Sequence, residues 1–269
     1  MPVILANNVK IYYKLTGQGD PILLVHGHPF DHTMWAPQIA SFSTLYQVIT
    51  PDLRGYGKSG LPKLTRFEDY ATDLLALMEA LEVDRFHLAG LSQGGQIIME
   101  IFRQAPKRIK SLIFADTFAG MDTPEVKQGR YDTADRLEKE GMDSYSNEVI
   151  YKMLKPEHVS SQPEAAAHVL KMMKASSPKG AATALRARAE RIDYLKVVLP
   201  TINIPTLVIV GRQDEFTPVA KAEELQQNLQ NCKLVVIEDA GHLPNLEQPN
   251  AFNAAVLDFL KGISNSGSF

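Results

Sequence analysis

The sequence has few of the residues on which several classes of protein depend. One cysteine, Cys232, in 269 residues excludes an internal disulfide framework and any zinc or iron–sulfur site built from several cysteines. The chain has 28 Lys and Arg residues against 31 Asp and Glu residues, a formal net charge of −3. It therefore lacks the basic excess that collects phosphates, and nucleic acid is not an expected partner.

Export and membrane signals are also lacking. Asn7, Asn8 and Lys10 interrupt the first apolar residues too early for a signal peptide. No uncharged apolar stretch approaches the roughly 18 residues that a membrane helix requires. With 45% apolar residues, the chain has enough material for a large core. These features predict a folded protein of the reducing cytoplasm with no membrane span.

Strand-like and helix-like patterns alternate along most of the chain, which predicts a doubly wound, mostly parallel α/β sheet. Turn residues after residue 15 suggest that it opens with an antiparallel hairpin. Thr65 and Glu68 form a capping-box pattern before a helix. Residues 120–199 show only helical stretches, so they are interpreted as an insertion. A last helix is expected from about Gln248 to Lys261, followed by a frayed end.

Ser92 lies in Gly90-Leu91-Ser92-Gln93-Gly94, after a predicted strand and at the start of a predicted helix. This is the context of a nucleophile elbow, in which a sharp turn lifts the serine hydroxyl clear of the sheet. The helix that follows points amide N–H groups at developing negative charge. The alternative is a glycine-rich strand–helix turn without chemistry.

A serine nucleophile needs a base and an acid that orients it. His242 follows the last predicted strand, and Asp214 follows the strand before it, so the order Ser92, Asp214, His242 fits this kind of fold. Asp116 and Glu215 are rival acids. The alternatives are a surface histidine and a solvated loop acid.

His26-Gly27-His28-Pro29 follows another predicted buried strand. The backbone N–H of His28, together with that of Gln93, would form an oxyanion hole. Gly27 would let the main chain approach a substrate closely. A plain strand-to-loop turn is the alternative, and the role of the His28 side chain stays open.

A metal site is the alternative function for the same segment, because His26, His28, Asp31 and His32 lie close together in sequence. In the metallo-hydrolase pattern His-x-His-x-Asp-His, the Asp and the last His stand one position earlier than they do here. No second cluster supplies further ligands with suitable spacing. The prediction is that no metal is bound.

Together these stretches resemble the α/β-hydrolase family, as seen in HGHPFDHTMWAPQ, VITPDLRGYGKS, GLSQGG, GRQDEFTP and AGHLPNLEQP. The resemblance implies an eight-stranded sheet formed by residues 1–119 and 200–269, with residues 120–199 as a helical cap over the site. Within the family, the chain is similar to arylesterases, cofactor-independent perhydrolases, enol-lactonases and carbon–carbon bond hydrolases. His28 departs from that branch, where its position is more often aromatic, apolar or an amide. Dehalogenases and epoxide hydrolases use an aspartate where this chain has Ser92.

The predicted function is hydrolysis of carboxylic esters with small to medium acyl or alcohol groups, through an acyl-enzyme on Ser92. No cofactor is expected, and the expected partner is a small-molecule ester. The same triad would serve a lactonase, a perhydrolase or a carbon–carbon hydrolase. A non-catalytic ligand-binding protein is the alternative outside enzymes. Five methionines of the insertion are expected to fill its own core rather than to have a role in the site.

Overall fold

The computed structural model describes residues 2–266; residues 1 and 267–269 lie outside them. The described chain forms one eight-stranded sheet, in the order β1-β2-β4-β3-β5-β6-β7-β8. The β1–β2 and β2–β4 pairs are antiparallel, and the other pairs are parallel. The predicted fold class is confirmed. The strands are β1 (Val3–Ala6), β2 (Val9–Thr16), β3 (Asp20–Val25), β4 (Tyr46–Pro51), β5 (Phe86–Leu91), β6 (Ile109–Ala115), β7 (Thr206–Gly211) and β8 (Cys232–Ile237).

The parallel strands are aligned so that their carboxyl ends meet at one edge. Val25 of β3 is paired with Gly90 of β5, Gly90 with Phe114 of β6, and Phe114 with Val208 of β7. Every residue of β5 and β7 is buried, as expected for strands covered on both faces. The loops that follow the carboxyl ends of these strands bring the candidate site residues to the same edge of the sheet.

Helices cover both faces of the sheet. On β3, Leu23 and Val25 belong to one core, and Ile22 and Leu24 belong to the other, because successive side chains of a strand point to opposite faces. The helices are α1 (Ala36–Phe42), α2 (Phe67–Ala80), α3 (Gln93–Gln104), α4 (Pro124–Glu140), α5 (Asp143–Met153), α6 (His158–Ser161), α7 (Pro163–Ala175), α8 (Pro178–Ala189), α9 (Tyr194–Val197), α10 (Val219–Gln227), α11 (Pro244–Glu247) and α12 (Pro249–Ser266).

The chain between β6 and β7 is helical, from α4 to α9, and contains no strand in the described structure. Helix α8 packs along α4. The two helices share a small core with Met142, which precedes α5; its other members are Ala134, Leu137, Ala181, Ala182 and Leu185. The helical nature of the insertion agrees with the prediction, whereas its limits at residues 120 and 199 stay a prediction. Within residues 2–266, no helix combines the length and apolar character needed to cross a bilayer.

Three local predictions were wrong. The opening hairpin joins β2 to β1, a strand that the sequence analysis missed; its turn is Asn7-Asn8, both with positive φ, a geometry that asparagine tolerates. Helix α2 is capped one residue later than predicted, because the Asp69 carboxylate accepts the Arg66 N–H at 2.8 Å. Helix α12 continues to Ser266, so the frayed end does not begin after Lys261, and residues 267–269 lie outside the described chain.

Candidate active site

Ser92 lies at a sharp turn between β5, which ends at Leu91, and α3, which begins at Gln93. Its φ of 55° and ψ of −116° are strained for a residue with a side chain. Two hydrogen bonds hold this geometry: the Ser92 N–H donates to Ala115 O at 2.9 Å, and the Thr117 hydroxyl donates to Ser92 O at 2.7 Å. The turn therefore has the geometry of the predicted elbow.

Gly94 allows the elbow to lie directly against the end of β3. A Cβ atom added at Gly94 would stand 2.7 Å from His26 O and would also collide with Val25 O. These neighbours are backbone atoms, and moving them would distort β3 and the segment that follows it. The first turn of α3 and the segment after β3 are therefore in direct main-chain contact.

Two backbone amides beside this junction have no hydrogen-bond partner in the described part of the chain. Within residues 2–266, neither the N–H of His28 nor that of Gln93 has a hydrogen-bond acceptor. Gln93 is the first residue of α3, and N–H groups in a first helical turn have no intrahelical partner. The Gln93 amide lies at the positive end of the α3 dipole, and two unpaired backbone N–H groups suit a developing oxyanion.

His242 and Asp214 form a buried pair, with Nδ1 of His242 2.8 Å from Oδ2 of Asp214. Oδ1 of Asp214 accepts the N–H groups of Phe216 at 2.8 Å and Thr217 at 3.0 Å, and the Thr217 hydroxyl donates to Oδ2. Burial by itself would raise the pKa of Asp214, but the His242 ring and the hydrogen bonds from His242 and Thr217 lower it to about 2. The carboxylate is thus ionised and fixed in orientation.

Neither rival acid hydrogen-bonds His242, although a carboxylate oxygen of Asp116 lies within 4.8 Å of a ring nitrogen of His242. Asp116 lies beside Asp214 and accepts the Gly211 N–H at 2.9 Å. Burial and the negative charge of Asp214 raise the pKa of Asp116 well above its usual range, which favours the neutral form of its carboxyl group. Glu215 is exposed. Asp214 is therefore the acid that the fold places against the imidazole.

A cavity of about 530 Å³ joins these groups, and Ser92, His28 and His242 all line it. A volume of this size accommodates a small-molecule ligand. More than half of the lining residues fall between residues 120 and 199, among them Met121 and Met153. The expectation that the insertion's methionines only fill its core was therefore wrong for these two.

The His28 side chain is also part of the cavity wall. Its Nδ1 atom lies 2.7 Å from the Tyr56 hydroxyl, while its buried Nε2 atom has no partner among the described residues. Burial and the positive charges of Arg188 and Arg130 lower the pKa of His28 to about 3. The ring is therefore neutral at physiological pH and offers no charge to a ligand.

The residues weighed for a metal site have other partners. Nε2 of His26 accepts the Leu53 N–H at 3.0 Å, and Nδ1 lies 2.9 Å from Gly27 O. Asp31, His32 and Asp52 could each direct one atom toward a common point. However, Asp52 Oδ1 lies 2.7 Å from His32 Nδ1 and also accepts the His32 N–H at 2.8 Å. Hydrogen bonding within the protein accounts for these groups, and the absence of a metal stays a prediction.

Glu247 holds the loop that carries His242. One carboxylate oxygen accepts the N–H groups of Gly241 at 2.8 Å and Leu243 at 3.3 Å. The other oxygen accepts the Lys155 N–H at 2.8 Å and lies 2.8 Å from His158 Nδ1. Lys155 and His158 belong to the helical insertion, so this buried carboxylate ties the insertion to the loop.

Sequence reasoning missed the contributions of Thr217, Tyr56 and Glu247. Thr217 could have been found, because Asp-x-x-Thr spacing at the end of a strand is typical of a carboxylate that accepts local N–H and O–H groups. Glu247 and Tyr56 gave no such signal, because their partners lie in distant segments.

Comparison with known proteins places these features in a wider context. A family model described as alpha/beta hydrolase fold matches residues 20–249. The chain is 31% identical over 259 residues to 3-oxoadipate enol-lactonase 2 of Acinetobacter baylyi, covering 95% of each protein. It is 30% identical over 259 residues to a pimeloyl-(acyl-carrier protein) methyl ester esterase of Legionella pneumophila, covering 94% of this chain and 100% of that protein. The solved structure of a thermophilic esterase from Thermogutta terrifontis superimposes with a TM-score of 0.93 at 34% identity, covering 97% of this chain and 98% of that one.

Proposed function

Because the chain belongs to the alpha/beta hydrolase fold family, we propose that it is a serine hydrolase that cleaves carboxylic esters of small to medium acyl or alcohol groups. The observation that carries the proposal is the arrangement at the carboxyl edge of the sheet. Ser92 on its strained elbow and His242, paired with Asp214 at 2.8 Å, line the same cavity. A small-molecule ester is the proposed substrate, and a cytoplasmic location is part of the same proposal.

In the first half-reaction, Ser92 Oγ attacks the ester carbonyl carbon while Nε2 of His242 accepts the hydroxyl proton. The carbonyl oxygen becomes an oxyanion and accepts hydrogen bonds from the N–H groups of His28 and Gln93. His242 then returns the proton to the leaving alkoxide. The products of this half are the free alcohol and an ester of the acyl group on Ser92.

The second half-reaction repeats these steps with water. Nε2 of His242 accepts a proton from water, and the hydroxide attacks the acyl carbonyl carbon. Collapse of the oxyanion breaks the bond to Ser92 Oγ, which recovers its proton from His242. Asp214 holds the imidazole in the required tautomer and stabilises the imidazolium in both halves. The net reaction converts an ester and water into a carboxylic acid and an alcohol.

Replacement of the nucleophile tests this proposal. Ser92→Ala is expected to lower kcat for p-nitrophenyl esters by on the order of 10⁴-fold to 10⁶-fold, with the unfolding temperature retained. A fluorophosphonate should label the wild type at Ser92 and leave the variant unlabelled, as read by mass spectrometry. Unchanged esterase activity in a folded Ser92→Ala variant would refute the serine mechanism.

Lactone hydrolysis is the second candidate, since a lactone is a cyclic ester and requires no further catalytic group. The name of the Acinetobacter relative, 3-oxoadipate enol-lactonase 2, supports it. A panel of linear esters, lactones, carbon–carbon hydrolase substrates, and peroxide with acetate separates this candidate from esterase, perhydrolase and carbon–carbon hydrolase activity. The substrate with the highest Ser92-dependent kcat/KM decides between them.

A further inference from the structure

The cavity wall contains a buried cation without a counter-ion. Arg188, in the last turn of α8, lines the cavity and is only 8% exposed. Its Nε atom donates to the side-chain oxygen of Gln96 at 2.6 Å. Among residues 2–266, no carboxylate lies within ion-pair distance of its guanidinium. Arginine stays protonated in proteins, so a charge that has the Phe118 ring 5.7 Å away but no carboxylate partner is held at the wall.

The two neighbouring arginines, unlike Arg188, each have a carboxylate partner. Arg130 and Arg191 share the carboxylate of Asp122, with Nε of Arg130 at 2.6 Å and Nη1 of Arg191 at 2.7 Å from its Oδ2 atom. Both carboxylate oxygens are occupied in this way. The local balance is three guanidinium groups against one carboxylate, and Arg188 is the group left over.

The surroundings make this unpaired charge costly. Burial lowers the pKa of Arg188 well below its usual range, and the positive charges of Arg130 and Arg191 lower it further. A buried charge without a partner is destabilising. The other acid in the cavity wall, Glu215, is exposed. An anion that enters the cavity would supply the missing partner.

We propose that Arg188 binds a carboxylate carried by the substrate itself, so that the enzyme prefers anionic esters or lactones that bear a free acid group away from the bond that is cleaved. The planar guanidinium donates two parallel hydrogen bonds to a carboxylate. Because Ser92 and His242 line the same cavity, one molecule reaches both the nucleophile and Arg188. This inference rests on the proposed ester hydrolysis and adds its substrate class.

The test compares each anionic ester with its neutral amide analogue. Mono-p-nitrophenyl glutarate and p-nitrophenyl glutaramate place the group on the acyl side, whereas 4-acetoxybutyrate and 4-acetoxybutanamide place it on the alcohol side. In at least one pair, wild-type kcat/KM should favour the carboxylate by about tenfold to a hundredfold. Arg188→Gln should remove that preference, so that kcat/KM falls by about tenfold to a hundredfold more for the carboxylate than for the amide.

Arg186→Gln is the matched control, because Arg186 lies on the same helix and pairs with Asp135 and Glu138 outside the cavity. It should keep the carboxylate preference. Arg188→Lys, which retains the charge, should keep part of it, and it also serves if Arg188→Gln does not fold. A purely structural role for Arg188 would lower activity on both members of a pair equally.

Binding separates this inference from the proposed function. Calorimetry with glutarate should show binding to Ser92→Ala and a loss of at least about tenfold in affinity in Ser92→Ala/Arg188→Gln. If wild type hydrolyses no ester, the proposed function fails while calorimetry still reports on Arg188. If wild type prefers neither carboxylate, or Arg188→Gln keeps the preference, the anion site is refuted even though ester hydrolysis stands.

Discussion

Two buried imidazole–carboxylate pairs lie near each other in the sequence, one at His242, in the loop after β8, and one at Glu247, the last residue of α11. His242 Nδ1 is 2.8 Å from Asp214 Oδ2, and His158 Nδ1 is 2.8 Å from Glu247 Oε2. The chemistry and the distances match. The two rings differ in what surrounds them away from Nδ1. His242 lines the cavity, whereas Nε2 of His158 lies 3.4 Å from a carboxylate oxygen of Asp239.

The carboxylates differ as well. The Asp214 carboxylate accepts hydrogen bonds from His242, Phe216 and Thr217. These bonds fix the orientation of the Asp214 side chain. Glu247 accepts from Gly241, Leu243 and Lys155, which belong to two separate segments. A histidine–acid pair therefore does not by itself indicate catalysis. The group on the opposite ring nitrogen distinguishes a proposed catalytic pair from a pair that fastens two parts of the fold.

The largest expected contrast is in activity. His242→Gln should lower kcat on a p-nitrophenyl ester by on the order of 10⁴-fold to 10⁶-fold, because the proposed base is lost. His158→Gln should keep activity within about tenfold, since its ring does not line the cavity. Steady-state kinetics on the two purified variants measures both. Equal losses of kcat in the two variants would contradict the assignment of His242, and not His158, as the catalytic base.

The next contrast is in stability. Glu247→Ala should lower the free energy of unfolding by roughly 3 kcal/mol, because three backbone N–H groups and His158 lose a buried acceptor. Denaturant unfolding measures this, with Glu247→Gln as the milder control that keeps one carbonyl acceptor. A Glu247→Ala variant as stable as wild type would show that the hydrogen bonds of Glu247 contribute little to the free energy of unfolding.

The smallest contrast depends on pH. Asp214 has its pKa lowered to about 2, so its carboxylate stabilises the fold above about pH 4 and the contribution is lost as the pH falls through about 2. This contribution is about 2 kcal/mol. The stability difference between wild type and Asp214→Asn should therefore shrink between pH 5 and pH 2, as measured by urea unfolding. A difference that stays constant would contradict the lowered pKa.

The sequence predicted those parts of the molecule that short local patterns encode. Ser92, Asp214 and His242 each follow a parallel strand, and the carboxyl ends of parallel strands share one edge. Their approximate meeting place therefore follows from the order of the strands alone. Their pairing required coordinates, since Asp116 also reaches this edge and only the packed structure shows that Asp214, not Asp116, hydrogen-bonds His242.

Residues whose partners lie far away in the chain could not be predicted. Arg188 is one of three arginines between positions 186 and 191, and the pattern does not tell which of them lacks an acid. Arg186 and Arg191 have carboxylate partners 48 to 69 residues away. Long-range contacts of this kind depend on how the helices pack rather than on local composition.

The close approach at Gly94 has a consequence for how this enzyme could change. Both proposed oxyanion donors are main-chain groups, and their separation is set where the first turn of α3 meets the carbonyl groups after β3. Substitutions at positions 28 and 93 can therefore alter the shape and polarity of the pocket while the two amides stay in place. At position 94, any side chain would collide with the backbone carbonyl groups of Val25 and His26. Changes in substrate range are therefore expected from side chains around the two backbone donors, whose positions stay fixed.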